Sequence, residues 1–355
     1  MTGMPEPATR RVALALGPPP TTVGDPRRPR GAGRGVWAAV AAAIVAAAIL
    51  ARVLWDGAGA LPTALQDAIT LSVSVLIESF PFVVLGILLS VVVQLWLPPW
   101  VFERLLPRQP FLRRAALSLL GVLLPVCECG NVPLSRGLIQ RGLTPAESLT
   151  FLLAAPILNP VTIITTYQAF GWDHGILVGR ILGGFVIANL VGYLFSRHPH
   201  PERMLTPAFE ASCRAHGHEE TGGRARRSVG RFAEEASTIL PALVVGSAIA
   251  GAIQVGVPRD ALVALGSNPL WSVLALMALA FVVSICSNVD AFFMLAFGSV
   301  FLPGGIVAFL VFGAMIDIKM LALMRTTFTT TTLAQVTTIV GLGALALGLA
   351  VNLIA

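Results

Sequence analysis

Charge is what this sequence has least of. Asp, Glu, Lys and Arg make up 12% of its 355 residues, and only one of the 24 basic residues, Lys319, is a lysine. A soluble domain carries about twice that charged fraction. The place of charge is taken by hydrophobic residues, at 55% of the chain and a mean hydropathy of +0.81. Strand-like alternation is also missing, which argues against a transmembrane β-barrel. There is no Walker lysine motif, Rossmann glycine fingerprint or nucleophile elbow at a strand-to-helix junction, so neither a self-contained ATP-driven pump nor an enzyme is expected, and no cofactor. The four cysteines do not form a disulfide framework: Cys127 and Cys129 are too close to bridge comfortably, Cys286 lies in an apolar segment and Cys213 in a polar one.

What is present are apolar runs of the roughly 20 residues that cross a bilayer. The expectation is an all-α polytopic membrane protein. Of the 24 basic residues, 17 fall in three polar segments, 1–36, 98–114 and 197–231, so the net charge of +6 marks cytoplasmic loops rather than a nucleic-acid surface. Residues 1–35 read as a disordered cytoplasmic N-terminus. The Ala-rich run 36–55, "VWAAVAAAIVAAAILARVLW", reads as an uncleaved, peripheral transmembrane anchor. Long apolar segments follow at 68–97, 145–170, 175–196, 232–256, 303–324 and 331–354. Two more, 114–141 and 269–301, are interrupted, the first by Cys-Glu-Cys-Gly-Asn and the second by "CSNVD" at 286–290.

The chain also repeats itself. "SFPFVVLG" (79–86) matches "ILPALVVG" (239–246), Cys127 falls opposite Cys286, Asn131-Val132 opposite Asn288-Val289, and Asn159 opposite Asp317. The register holds over four landmarks, which divides the chain into repeat 1 (66–197), a cytoplasmic linker (198–228) and repeat 2 (229–355). If each interrupted stretch is a re-entrant hairpin, each repeat has three spanning helices, and the odd number turns the second repeat upside down. Inverted-topology repeats are a common design of secondary transporters. The competing reading, in which the interrupted stretches cross completely, gives parallel repeats. Inversion keeps Arg141 on the cytoplasmic side and is preferred.

Irregular backbone at membrane depth must be buried in protein or line a cavity. The paired interruptions therefore locate the substrate site: Cys127, Glu128, Cys129, Gly130 and Asn131 from one repeat, facing Cys286, Asn288 and Asp290 from the other. Thiolates select soft species. Cys127 and Cys129 are the expected metal ligands, Cys286 is a third sulfur, and Glu128 is suited to lowering a metal's net charge or carrying a coupled proton. Intramembrane ionisable groups are functional candidates. Glu78, Asp317 and Lys319 are assigned to coupling, with Glu128 or Glu78 as the partner of Lys319; the alternative for Lys319 is snorkelling to the interface near Arg325. In "AAPILNP" (154–160) the two prolines flanking Asn159 free backbone carbonyls for substrate, or merely kink the helix. "CRAHGH" (213–218) has ligand types, but a solvated linker is the simpler reading.

"LLPVCECGNVPLSRGLIQRGLTPAESLTFLLAAPILNP" (123–160) resembles the signature of the bacterial predicted-permease family that includes the ArsP-type organoarsenical efflux permeases, and "GAMIDIKMLALM" (313–324) resembles its second signature. The resemblance covers about residues 66–354 and implies a bacterial inner-membrane permease. For the arsenical-exporting members it implies extrusion of trivalent, thiol-reactive species through membrane cysteines, here Cys127, Cys129 and Cys286. Those exporters commonly read Cys-Ser-Cys-Gly; Glu128 between the cysteines suits a cation or a proton-coupled step better than a neutral arsenical. The expected function is secondary transport of a small thiophilic solute, a trivalent arsenical or soft metal, by alternating access. A zinc-like transition-metal permease, a membrane thiol redox protein, and a non-transporting subunit or sensor are the alternatives. Expected partners are the lipid bilayer, the small-molecule or metal substrate and a proton as coupling ion; a homo-oligomer or a small membrane partner stays open.

Overall fold

The computed structural model describes residues 63–98, 106–124, 126–215, 223–256, 268–298 and 301–354. The expected disordered segment 1–35 and anchor 36–55 lie outside the described residues. The segment expected as repeat 1 holds α1 (Thr63–Leu95), which starts three residues before it, α2 (Pro110–Leu123), α3 (Glu128–Gln140), α4 (Pro145–Ala154), α5 (Pro160–Phe170) and α6 (Ile176–Ser196). The linker carries α7 (Pro207–Ala215). After it come α8 (Arg224–Val255), which begins within the expected linker and runs on into the segment expected as repeat 2, α9 (Pro269–Val283), α10 (Asp290–Leu295), α11 (Pro303–Met315), α12 (Ile318–Met324) and α13 (Thr330–Ile354). Extended pairing among the described residues amounts to one isolated antiparallel bridge, Leu205 to Phe328.

Among the described residues five stretches are long and apolar enough to cross a membrane: Thr63–Leu95, Asp173–Ser196, Arg224–Val255, Pro303–Met324 and Thr330–Ile354. The protein is an all-α polytopic membrane protein. At 1.5 Å per residue the 33 residues of α1 extend about 50 Å, past the ~30 Å hydrocarbon layer. Apolar on every side, α11 is the central helix, with Gly304 to Phe312 buried throughout.

The interruptions expected at 114–141 and 269–301 are both present; the prolines flanking Asn159 break the span 145–170 rather than merely kinking it, and the segment 303–324, read as one long apolar span, is interrupted as well. Between α4 and α5 the break spans Ala155 to Asn159, where Pro156 and Pro160 lack the amide hydrogens that a continuous helix needs. Between α11 and α12 it falls at Ile316 and Asp317, whose carboxylate accepts from the Met320 amide at 2.5 Å and starts a new helix. Asn159 does the same for α5 by accepting from Val161 N at 2.9 Å. The two residues matched across the repeats thus occupy matching cap positions.

Side-chain contacts set the directions of the helices. Arg113 at the start of α2 pairs with Glu147 at the start of α4 at 2.6 Å, and Arg141 just after α3 donates to Val93 O and Leu97 O at the end of α1, both at 3.0 Å. The hairpin α2–α3 therefore leaves and returns to one end of the bundle, termed the basic end. Along α6 the partners of α4–α5 follow in order: Gly192 lies against Thr150, Gly184 against Ile157, and Arg180 against Thr166. The pair α4–α5 is a full crossing. In repeat 2 the corresponding contacts are at the opposite end. Asn352 of α13 accepts from Gly304 N (2.8 Å) and donates to Pro269 O (3.4 Å), while Leu295 and Gly298 after α10 line a cavity with Phe170, Ile176 and Pro303. The chain returns to the basic end after α12, where Thr206 N donates to Thr327 O and Thr329 N to Met204 O, both at 2.9 Å. The first helices of the two repeats, α1 and α8, run antiparallel, with Trp96 beside Ser228 and Ser72 beside Gly251.

Small residues set the closest approaches. A Cβ on Gly86 of α1 would fall 2.1 Å from the Gly130 carbonyl oxygen, so only glycine lets α1 meet α3 there. The linker departs from its reading as a solvated loop: α7 docks on the basic end, with Phe209 buried and the Arg136 guanidinium 4.4 Å from its ring centroid.

Candidate functional site

The two hairpin tips meet in the middle of the bundle. α3 begins there with Glu128 in its first turn and Cys127 as its N-cap residue. The break after α9 places Cys286 and Ser287 opposite. Glu128 is 1% exposed, and its carboxylate accepts from Ser287 Oγ at 3.0 Å, Ser287 N at 3.4 Å and the Cys286 thiol at 3.8 Å. Lys319, completely buried, places Nζ 3.4 Å from Glu128 Oε1 and donates to Ser284 O at 3.2 Å. Ser284 closes α9 with φ of +52°, a left-handed conformation costly for a residue with a Cβ. The snorkelling alternative for Lys319 is overturned: the ammonium points to the core of the site.

The ligand atoms of Cys127, Glu128 and Cys286 all lie within 4.8 Å of one another. The grouping differs from the expected Cys127–Cys129 pair. Helix α3 starts at Glu128, so Cys129 is in its first turn; its sulfur is 4.0 Å from Glu128 Oε1 but it is not a member of the three-atom group. Glu78, half-buried on α1, interacts with the Cys286 backbone and lies within electrostatic reach of Lys319 and Glu128. Asp317 is buried behind Lys319 with Oδ2 unpartnered.

The other expected site residues have different places. Gly130 forms the helix contact with α1, where Phe82 O leaves no room for a Cβ. Asn131 and Asn159 both donate to Val126 O, at 3.4 and 3.3 Å, satisfying a carbonyl freed by the first break. Gln254 does the same for the second break, donating to Val283 O at 2.7 Å. Asn288 accepts from Thr162 Oγ1 at 3.1 Å across the repeats. Asp290 is held by both nitrogens of Arg180, at 2.9 and 2.6 Å.

Arg180 was not among the expected residues, nor was Arg136, which pairs with Glu235 at 2.8 Å and donates to Thr326 O at 2.9 Å. Both pairs are buried and both join the repeats: Arg180–Asp290 on the far side of the Glu128–Lys319 cluster, Arg136–Glu235 on the basic side. A lone arginine inside the apolar run 175–196 was the available signal. Of the Cys213, His216 and His218 group, Cys213 is half-buried in α7; the two histidines lie outside the described residues.

Residues 64–353 match the model of the ArsP-type predicted permeases. The chain belongs to this predicted-permease family. This permease is 36% identical over 267 residues to the UPF0718 protein YcgR of Bacillus subtilis, covering 72% of its own length and 87% of the relative's. It is 30% identical over 275 residues to a putative two-component membrane permease complex subunit of Streptococcus mutans, covering 78% and 91% of the two chains. A shorter match, 25% over 114 residues and 32% of each chain, links it to the UPF0718 protein YraQ of Escherichia coli. No solved structure matches significantly. The permease is a multi-pass membrane transporter whose surroundings are the lipid bilayer.

Proposed function

We propose that the permease is a secondary transporter of a small thiophilic solute, a soft metal species or a trivalent arsenical, bound between the hairpin tips by Cys127, Glu128 and Cys286. The observation that carries this reading is the convergence of two sulfurs and a carboxylate oxygen within 4.8 Å, supplied by both repeats at a buried site. Sulfur selects soft species, and the carboxylate favours a cation over a neutral solute. The contacts of the two hairpins with opposite ends support an inverted repeat with alternating access. The accumulation of Arg113, Arg114, Arg141 and Arg197 at one end supports a cytoplasmic orientation for it in a bacterial inner membrane.

In the described geometry Lys319 is the counter-charge of Glu128. A cation that takes the Glu128 carboxylate displaces the ammonium, and Asp317 Oδ2, buried without a partner, is the acceptor available to it. Binding thus moves one positive charge from Glu128 to Asp317 instead of leaving two cations on one carboxylate. A proton on Glu128 releases Lys319 in the same way, which is how substrate and proton come to share one carboxylate.

The test is flux into proteoliposomes holding purified permease, with zinc, copper(I), antimonite and a trivalent methylarsenical as the panel. Cys127→Ser and Cys286→Ser are expected to abolish transport of the accepted species, with Cys129→Ser retaining more. Equal flux in wild type and Cys127→Ser/Cys286→Ser removes the sulfurs from the mechanism.

A further inference from the structure

A second polar site lies at the basic end, away from the cysteines. A cavity of about 440 Å³ is lined by Pro110 and Arg114 of α2, Thr144 and Glu147 of α4, and Tyr193 and Arg197 at the end of α6. Arg114 is only 6% exposed, yet among the described residues no hydrogen bond or ion pair reaches its guanidinium, and its Nε is fully enclosed without a partner. Its one directed contact is with the Tyr193 ring, 5.7 Å from the centroid, and Arg197 approaches the same ring at 5.0 Å. The carboxylate in the lining is already spent: Glu147 holds Arg113 with Oε1 at 2.6 Å and the Thr144 amide with Oε2 at 2.9 Å. Helix α2 starts at Pro110 with no side chain capping its first amides, so its positive end adds to the two arginines. A buried, uncompensated guanidinium is costly unless an anion meets it.

We propose that this cavity binds the phosphate of an anionic phospholipid headgroup, with Arg114 as the buried anchor, Arg197 at the rim and the first amides of α2 completing the cradle. Phe111 and Leu112, next in sequence to the lining residue Pro110, and Leu194, next to Tyr193, are exposed apolar side chains that acyl chains of a bound lipid could cover. Basic pockets between transmembrane helices are recognised sites for such headgroups. Occupancy ties the starts of α2 and α4 to the end of α6, and so fixes the base of the first hairpin.

The experiment is a thermal-shift titration of full-length permease in neutral detergent with short-chain phosphatidylglycerol, short-chain phosphatidylcholine, or inorganic phosphate. Phosphatidylglycerol is expected to raise the melting temperature saturably, and phosphatidylcholine is expected to have little effect. Arg114→Gln should weaken the apparent affinity about tenfold, the scale of one lost charge-assisted hydrogen bond. Arg197→Gln, at an exposed position that leaves folding intact, should weaken it in the same direction, while Arg224→Gln on α8 should not. A shift by phosphate with none from phosphatidylglycerol overturns the lipid assignment and makes the cavity a free-anion site of the same chemistry. Equal shifts from both lipids, or titrations unchanged in Arg114→Gln and Arg197→Gln, overturn the proposal.

Discussion

Lys319→Met is the perturbation that probes the centre most directly. Methionine keeps most of the side-chain volume and removes the ammonium. Glu128 would then keep the Ser287 hydroxyl and amide but lose its only cation at hydrogen-bonding distance among the described residues, at a position where it is 1% exposed. Removing one member of a buried ion pair costs about 3–5 kcal/mol, because the survivor is left charged and uncompensated. At about 2 °C per kcal/mol for a chain of this size, the apparent melting temperature in detergent should fall by roughly 6–10 °C. Glu128→Gln should destabilise on the same scale by stranding the ammonium. The double variant should recover much of the loss, since a neutral amide still accepts from Ser287 and no charge is left stranded at either position. The expected coupling between the two sites is at least about 2 kcal/mol. Transport should stay lost in the double variant although the fold returns, which separates stability from function. If Lys319→Met melts with the wild type, the pair is not charged in the folded protein, and the proposed charge transfer to Asp317 has no starting point.

Three further outcomes follow from the geometry. Arg180→Met and Asp290→Asn should each destabilise by about 3 kcal/mol or more in the same melting assay, and combining them should cost less than their sum; strict additivity would show that the 2.6 Å contact carries no energy. Gly86→Ala should cost about 3 kcal/mol, since its Cβ meets the Gly130 carbonyl oxygen rather than a flexible side chain, and a neutral result in a melting experiment would mean that α1 and α3 are not in contact there. Burial pushes the Cys213 thiol from an ordinary 9.0 up to about 11. The thiolate is the reactive form, so a raised pKa suppresses alkylation at every pH below 11. In a Cys127→Ser/Cys129→Ser/Cys286→Ser background the iodoacetamide rate at pH 8 should be about 100-fold below that of an ordinary exposed thiol and should still be rising beyond pH 10. A plateau near pH 9 would place α7 away from the bundle.

How much of this arrangement was legible in the sequence depends on how local its cause is. The breaks at Cys127 and Cys286 were readable because a cysteine, an asparagine and an acid interrupt an apolar run in both halves, with Gly130 added in the first. The break at Asp317 was not, because one carboxylate in "GAMIDIKMLALM" leaves the hydropathy nearly unchanged, and only the cap geometry shows that a helix restarts there. Yet the register that matched Asp317 with Asn159 already held the answer: if the prolines beside Asn159 interrupt one helix, its counterpart should be interrupted too, by whatever chemistry that position offers. Lys319 shows the opposite limit. Its sequence neighbourhood allowed a snorkelling side chain, and only the arrival of Glu128 from 191 residues away decides against it. The arginines complete the argument. Arg180 and Arg136 lie in segments whose remaining residues are mostly apolar or small, and the rule applied to Asp290 applies equally to them: a charge at that depth requires a partner. Pairing the intramembrane charges among the described residues by sign, four acids at 78, 128, 290 and 317 against Arg136, Arg180 and Lys319, leaves one acid in excess. Glu235, near the start of α8, takes Arg136 and raises the excess to two. Arg180 binds Asp290 and Lys319 binds Glu128, so Glu78 and Asp317 remain around the cysteine cluster without a cation of their own. On the proposed function, two carboxyl groups near two sulfurs would suit positive charge, and that imbalance favours the cation or proton reading of the proposal over a neutral cargo.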